Sequence, residues 1–469
     1  MSSERSMAPP LPFVNTQPLT DHHCHGVLTE GGDLESLLTE GDGGACAGGT
    51  AFDSLAGLAF RRWCPPLLDL PRFAAMDEYA ARRADLGGAE VNRRFLAASG
   101  LGTLLVDTGY TPSALLTPAE TAGFAGASAF EVVRLEQVAE SLAAGGADGA
   151  GGVGPGGFAD AYRAALAARI ASPAGVPAVA VKSIAAYRVG LALEPRRPTD
   201  AEVAAAVARW LGGTSGGGGT SGAGGAGGAA RAGGAGGAAR AGGAGGVGGA
   251  ARAGGAGGAG GGAGTSGAGG AAGGAGAADG GGLEGGAADG GGLEGGAPRL
   301  ADETLHRFFI WCGADLGLPI QFHVGYGDRD VDLHQCNPLL LTGLIRALEP
   351  TGARVMLLHN YPYHREAGYL AQVFPHVYAD LGLATHNVGS RAPDVLAEAL
   401  EMVPLRKFLF SSDAFGLPEL YYLGTLLFRL GLSRFLQGRV DSGDMSYDDA
   451  ERLARLIGAD NARRAYGLP

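Results

Sequence analysis

Eight short apolar runs, with helical patterns between most of them, constrain this chain more than any other feature. They cover residues 19–24, 103–107, 131–135, 178–184, 319–322, 354–358, 376–379 and 407–410. The stretches 91–98, 158–170, 200–211, 302–316, 338–349, 363–373 and 392–403 carry apolar residues at helical spacing. Runs this short and this continuously apolar suit strands buried on both faces, as in a parallel sheet covered by helices. Eight such units predict an α/β fold, a closed (β/α)₈ TIM-like barrel, better than an open doubly wound sheet. The stretch 27–79 holds Trp63, Cys64 and Pro65-Pro66. It reads as a helical excursion after strand 1 that shapes a substrate pocket.

Residues 212–298 interrupt the pattern. They are almost wholly Gly and Ala, with near-copies of Gly-Gly-Ala-Ala-Arg-Ala around Arg231, Arg240 and Arg252. A ten-residue unit then occurs twice, starting at Ala277 and Ala287. Such composition cannot bury enough apolar surface to offset the entropy of ordering it, so a disordered low-complexity insertion is expected. A smaller Gly-rich patch, 145–157, reads the same way. The expected organisation is a flexible N-terminus (1–17), a first part of the barrel (18–211), the insertion (212–298) and a second part of the barrel (299–469).

The formal charge of -12 speaks against nucleic acid or an anionic membrane as partner. Five cysteines, an odd number without a Cys-x-x-Cys pair, speak against a disulfide framework or a zinc ribbon. The first 17 residues hold no apolar run of signal length, and no stretch has the continuous apolar character of a membrane span. A cytoplasmic enzyme with a small-molecule substrate is the expectation, with homo-oligomerisation left open.

The chemistry lies where the apolar runs end. His23 and His25, two residues apart, share one face of a strand and can grip one ion. Later runs lead into His323, His359 and Asp413. In a barrel these positions fall together at the C-terminal end of the strands, where catalytic groups sit. Imidazole and carboxylate donors suit a divalent ion, with zinc the first choice and manganese or iron alternatives. Lys182 lies in the fourth run and needs a partner if buried. It, or Tyr187 and Arg188 just after it, is a candidate for an anionic substrate group. Tyr326 follows His323 in Gly325-Tyr326-Gly327-Asp328, a further pocket candidate, as is His386 after the seventh run. Arg134 and Glu136 are expected to pair at the rim. His22 and Cys24 alternate away from the ligand face and read as structural, as do His306, His334 and His376.

The ordered set of His-x-His on the first strand, His ending the fifth, His ending the sixth and Asp ending the eighth resembles the amidohydrolase superfamily. Its amidohydrolase-related (amidohydrolase 2) branch is the best likeness. The ending Asn461-Ala462-Arg463-Arg464-Ala465-Tyr466-Gly467 also resembles the Asn-Ala-x-x-x-Tyr-Gly ending common in that branch. The resemblance implies one or two divalent ions, most readily Zn²⁺, held by His23, His25 and His323. Asp413 would bind the ion or take the proton of the attacking water, and His359 would be a further ligand or polarise the substrate carbonyl. Many relatives bridge two ions with a carboxylated lysine, a role open to Lys182. The implied reaction is hydrolysis of a C–N, amide-type bond. Metal-dependent decarboxylases and sugar-acid isomerases on the same barrel are the alternative.

Overall fold

The computed structural model describes residues 11–41, 49–110, 114–145, 153–171, 175–212 and 299–469. The insertion expected at 212–298 lies outside the described residues from 213 onward, as do Cys46 and the middle of the Gly-rich patch 145–157.

Seven strands form one all-parallel sheet in sequence order: β1 (Leu19–Cys24), β2 (Leu101–Asp107), β3 (Ser128–Arg134), β4 (Ala178–Ser183), β5 (Ile320–Val324), β6 (Val355–His359) and β7 (Val377–Ala379). Every residue of β1, β5 and β6 is buried, the two-sided burial that their unbroken apolar runs require. The eighth run is not a regular strand. Residues 407–416 nevertheless bond to both edges of the sheet: Ala379 pairs with Phe408, and the amides of His22 and Asp413 donate to the carbonyls of Phe410 and His23 at 3.1 Å each. The sheet therefore closes on itself. Regular pairing fails in this segment because Ser411 and Ser412 bond to the side chains of Asp380 and Asp21, and Asp413 adopts φ 51°.

The barrel interior follows from the two-residue period of a strand. Leu105, Val132, Ala180, Met356 and Leu409 form an inner apolar cluster, sealed below by Ala462, Ala465 and Tyr466 of the C-terminal helix Asn461–Tyr466. Two positions further along their strands come Asp107, Arg134, Lys182 and Ser411, one layer higher. The larger cluster packs the helices against the outside of the sheet.

The excursion after β1 contains the helices Leu55–Trp63 and Met76–Leu86. Helices absent from the sequence reading include Pro118–Ala125, Leu135–Ala143 and the 24-residue Pro418–Asp441. No helix among the described residues is long and apolar enough to cross a membrane. The N-terminus departs from the expectation of flexibility from residue 11 on. Pro12–Thr16 is helical, Leu11 and Val14 are buried, and Arg429 donates to the carbonyls of Val14 and Gln17.

Candidate metal centre

His23, His25, His323, His359 and Asp413 converge at the C-terminal mouth of the barrel. Asp413 Oδ1 lies 3.1 Å from His23 Nε2 and 3.4 Å from His25 Nε2, and its Oδ2 lies 3.2 Å from His359 Nδ1. The His323 ring centre is 4.7 Å from that of His359 and 4.4 Å from that of Tyr187. Two sets of ligand atoms lie mutually within 4.8 Å: His23, His25 and Asp107, and His23, His359 and Asp413. They share His23, an arrangement that fits one ion or a pair.

Backbone geometry brings two of these groups inward. Leu358 faces the barrel interior, so a regular strand would turn His359 outward. A left-handed φ of 69° at His359 breaks the alternation, and Asp413 at 51° likewise departs from strand geometry. Non-glycine residues held in this region are strained and concentrate at functional sites. Gly382 leaves the space they occupy: a Cβ there would meet Ser411 Oγ at 2.7 Å and His359 Nδ1 at 2.8 Å.

A metal-binding imidazole must be neutral, with the correct nitrogen bare. His23 Nδ1 meets Gln321 Oε1 at 2.8 Å, which leaves Nε2 aimed at the centre. Burial first, and then the Lys182 ammonium, lower the His23 pKa to about 4, so the ring is neutral at physiological pH. Burial likewise holds the pKa values of His323 and His359 well below the ordinary histidine value. The buried atoms His323 Nε2, His359 Nδ1 and Asp413 Oδ1 have no hydrogen-bond partner among the described residues. Lone-pair donors gathered in this way without partners carry a desolvation cost that a cation would relieve. The residues present fit a divalent ion.

Two carboxylates balance the cations. Burial opposes ionisation of Asp413, but His359, His23 and His25 hold its pKa well below the usual carboxylate range. Asp107 is likewise held low against burial, by Arg134, His25, Lys182 and His23. Asp107 Oδ2 accepts from Arg134 Nη2 at 2.9 Å.

The other sequence candidates divide. Lys182, 2% exposed, places Nζ 3.1 Å from His23 Nε2 and 3.9 Å from Asp107 Oδ2. It lines an open cavity of about 550 Å³, including its mouth, together with His25, His323, His359, Asp413, Tyr187, Arg134, Tyr110, Glu40 and Phe415. Arg188 instead turns away to Glu140, 3.6 Å from its Oε1. The half-buried Tyr326 packs edge-on against Tyr361 and does not line the cavity. The expected Arg134–Glu136 pair is corrected. Their side chains leave β3 and the following helix in different directions, so Arg134 pairs with Asp107, whereas Glu136 accepts from Ser183 Oγ and Ile184 N and meets His306. His386 is buried with its pKa lowered to about 4 by burial, and does not line the cavity.

Several site residues escaped the sequence reading. Asp107 ends the apolar run Leu104-Leu105-Val106, the same signal that marked His359. Gln321 sits two positions before His323 and so shares its face. Glu40, whose carboxyl burial and Asp413 push up to about 8, lies in the excursion after β1 and gave no local signal.

The amidohydrolase family model matches residues 250–468. The fluG protein of Emericella nidulans is 40% identical over 151 residues, 32% of this chain and 17% of its own length, so the match spans about a sixth of that relative. A protein of Lactobacillus casei whose crystal structure is described as that of a metal-dependent hydrolase superimposes with a TM-score of 0.70 at 25% identity, over 98% of each chain. The glucuronate isomerase of Caulobacter crescentus matches at a TM-score of 0.51 and 13% identity, over 100% of this chain and 97% of its own, a likeness of fold alone.

Proposed function

We propose that the chain is a metal-dependent hydrolase of the amidohydrolase-related superfamily that cleaves a C–N, amide-type bond of a small polar metabolite. The observation that carries this reading is the cluster of partnerless buried donors of His323, His359 and Asp413, beside His25, on the wall of the cavity. His23 completes the set, and zinc is the first ion to test, given imidazole and carboxylate donors. Bound there, a divalent ion supplies Lewis acidity and brings a water's pKa to about 7.

The residues of the chain supply the rest. Asp413, ionised and central to three histidines, accepts the proton of the attacking water and passes it to the departing nitrogen as the C–N bond breaks. Lys182 and His359 face the same space and stabilise the negative charge that develops on the carbonyl oxygen. The cavity opens at the mouth of the barrel. Tyr110, Phe415 and Tyr187 give it apolar walls, with Lys182 and Arg134 the cations that favour an anionic substrate group.

The test is metal analysis of the purified protein, followed by assays on N-acyl and γ-glutamyl amides, carboxylated aromatic acids and uronates. Amine release that is abolished by a chelator and restored by a divalent ion is the expected result. Carbon dioxide release, or aldose–ketose exchange without hydrolysis, would establish the decarboxylase or isomerase alternative instead.

A further inference from the structure

Tyr466 takes no part in the cavity, yet its hydroxyl sits inside the barrel beneath the candidate metal centre. The helix that carries it is firmly docked. Asn461 Nδ2 donates to the carbonyls of Leu405 at 2.8 Å and Phe408 at 2.9 Å, and Arg354 donates to the carbonyl of Ala465 at 2.9 Å. From that seat Tyr466 Oη meets Gln321 Nε2 and His22 Nδ1, each at 2.8 Å.

The donor inventory constrains the direction of each bond. The Asp380 carboxylate can only accept, so His22 carries its proton on Nε2, 2.7 Å from Asp380 Oδ2. Toward a neutral His22 the Tyr466 hydroxyl donates to Nδ1, toward a charged one it accepts from it, and in either state it accepts from Gln321 Nε2. Gln321 Nε2 also donates to the His22 carbonyl at 2.8 Å, which forbids the flipped amide. Its Oε1 must therefore face His23 Nδ1, and that nitrogen must be the protonated one. On the other branch Asp380 Oδ1 accepts from the amide of His359 at 2.5 Å, and Ser411 Oγ donates to Oδ2 at 2.7 Å.

We propose that Tyr466 is a positioning residue for the metal centre. Its hydroxyl shares with the His22 carbonyl the hold on Gln321, and so on the tautomer of His23, and bears on the seat of His359 through His22 and Asp380. This inference rests on the reading of the centre as a metal site.

The test strips the full-length protein of metal and measures Zn²⁺ or Co²⁺ affinity by chelator competition, in wild type and Tyr466→Phe, which keeps the ring in the barrel floor. The dissociation constant is expected to rise roughly tenfold or more, as when an outer partner of a ligand histidine is lost, with an altered visible spectrum of the Co²⁺ form. Met356→Ala, in the same floor, should lower thermal stability while leaving the affinity within twofold. Imidazole ¹⁵N shifts of the metal-stripped wild type should show His23 protonated on Nδ1 and His22 on Nε2, a measurement that stands even if Tyr466→Phe does not fold. An Nε2-protonated His23, or an unchanged affinity in folded Tyr466→Phe, overturns the role of Tyr466 alone. A wild type that binds no divalent ion overturns the metal reading with it.

Discussion

Asp413 shows how one residue concentrates the demands of the site. It is nine-tenths buried, adopts φ 51°, and lies within 3.4 Å of the ring nitrogens of three histidines. Asn tolerates the left-handed conformation about as well as Asp, so Asp413→Asn isolates charge from backbone strain. The remaining histidines should retain the metal, while turnover should fall by roughly 10²–10⁴, the scale of a lost general base. Metal content and kcat measured on one preparation check both halves, and near-normal turnover would return Asp413 to a turn-forming role. Replacing His23 and His25 together by Ala should instead remove the metal and leave the barrel folded. Full metal occupancy in that double variant, by elemental analysis with circular dichroism as the fold control, would exclude both rings as ligands.

The strands were legible because their signal is local, and the loops between them were not. All of β1 to β7 lie within a few residues of where the apolar runs placed them, since burial on both faces leaves a mark that neighbours cannot erase. The long helix Pro418–Asp441 escaped because 14 of its 24 residues are buried, so it lacks the polar stripe that marks a surface helix. Arg188 and Tyr326 were placed in the pocket from proximity in sequence to Lys182 and His323, but Arg188 turns to Glu140 after β4, and Tyr326 packs on Tyr361 behind the cavity lining. Gly382, just after β7, is another element-level feature that a single sequence does not flag. Gly382→Ala would push a methyl against Ser411 Oγ and His359 Nδ1. It should lower metal affinity and turnover together while the far-ultraviolet dichroism stays native. An alanine variant with wild-type metal affinity would mean that His359 is seated without that clearance.

At the scale of the whole molecule, the site joins residues nearly 400 positions apart, because a closed barrel brings its first strand and last segment side by side. Asp21 on β1 accepts from both the amide and the hydroxyl of Ser412. A sequence read segment by segment shows which runs end in ligands, but the partner of each ligand depends on closure. For that reason the candidate His/Asp set was visible, whereas the links from Gln321 to His23 and from Asp380 to His359 were not. The same closure makes a prediction about the low-complexity stretch. The helix Asp200–Gly212 ends before it and Glu303–Asp315 begins after it. Arg209 Nη2 reaches Asp302 Oδ2 at 2.7 Å, and Asp302 caps the second helix by accepting from the amides of Thr304 and Leu305. The two ends are thus already held together within the barrel layer, and a short connection can span them. Loop-closure entropy changes by only about 0.6 kcal/mol for each doubling of loop length, so the length of the stretch weighs little on stability. Replacing residues 213–298 by a short Gly-Ser linker should therefore leave the melting temperature, metal content and kcat/KM close to those of the full chain. A shortened protein that folds and binds metal but turns over substrate poorly would show that the stretch takes part in function.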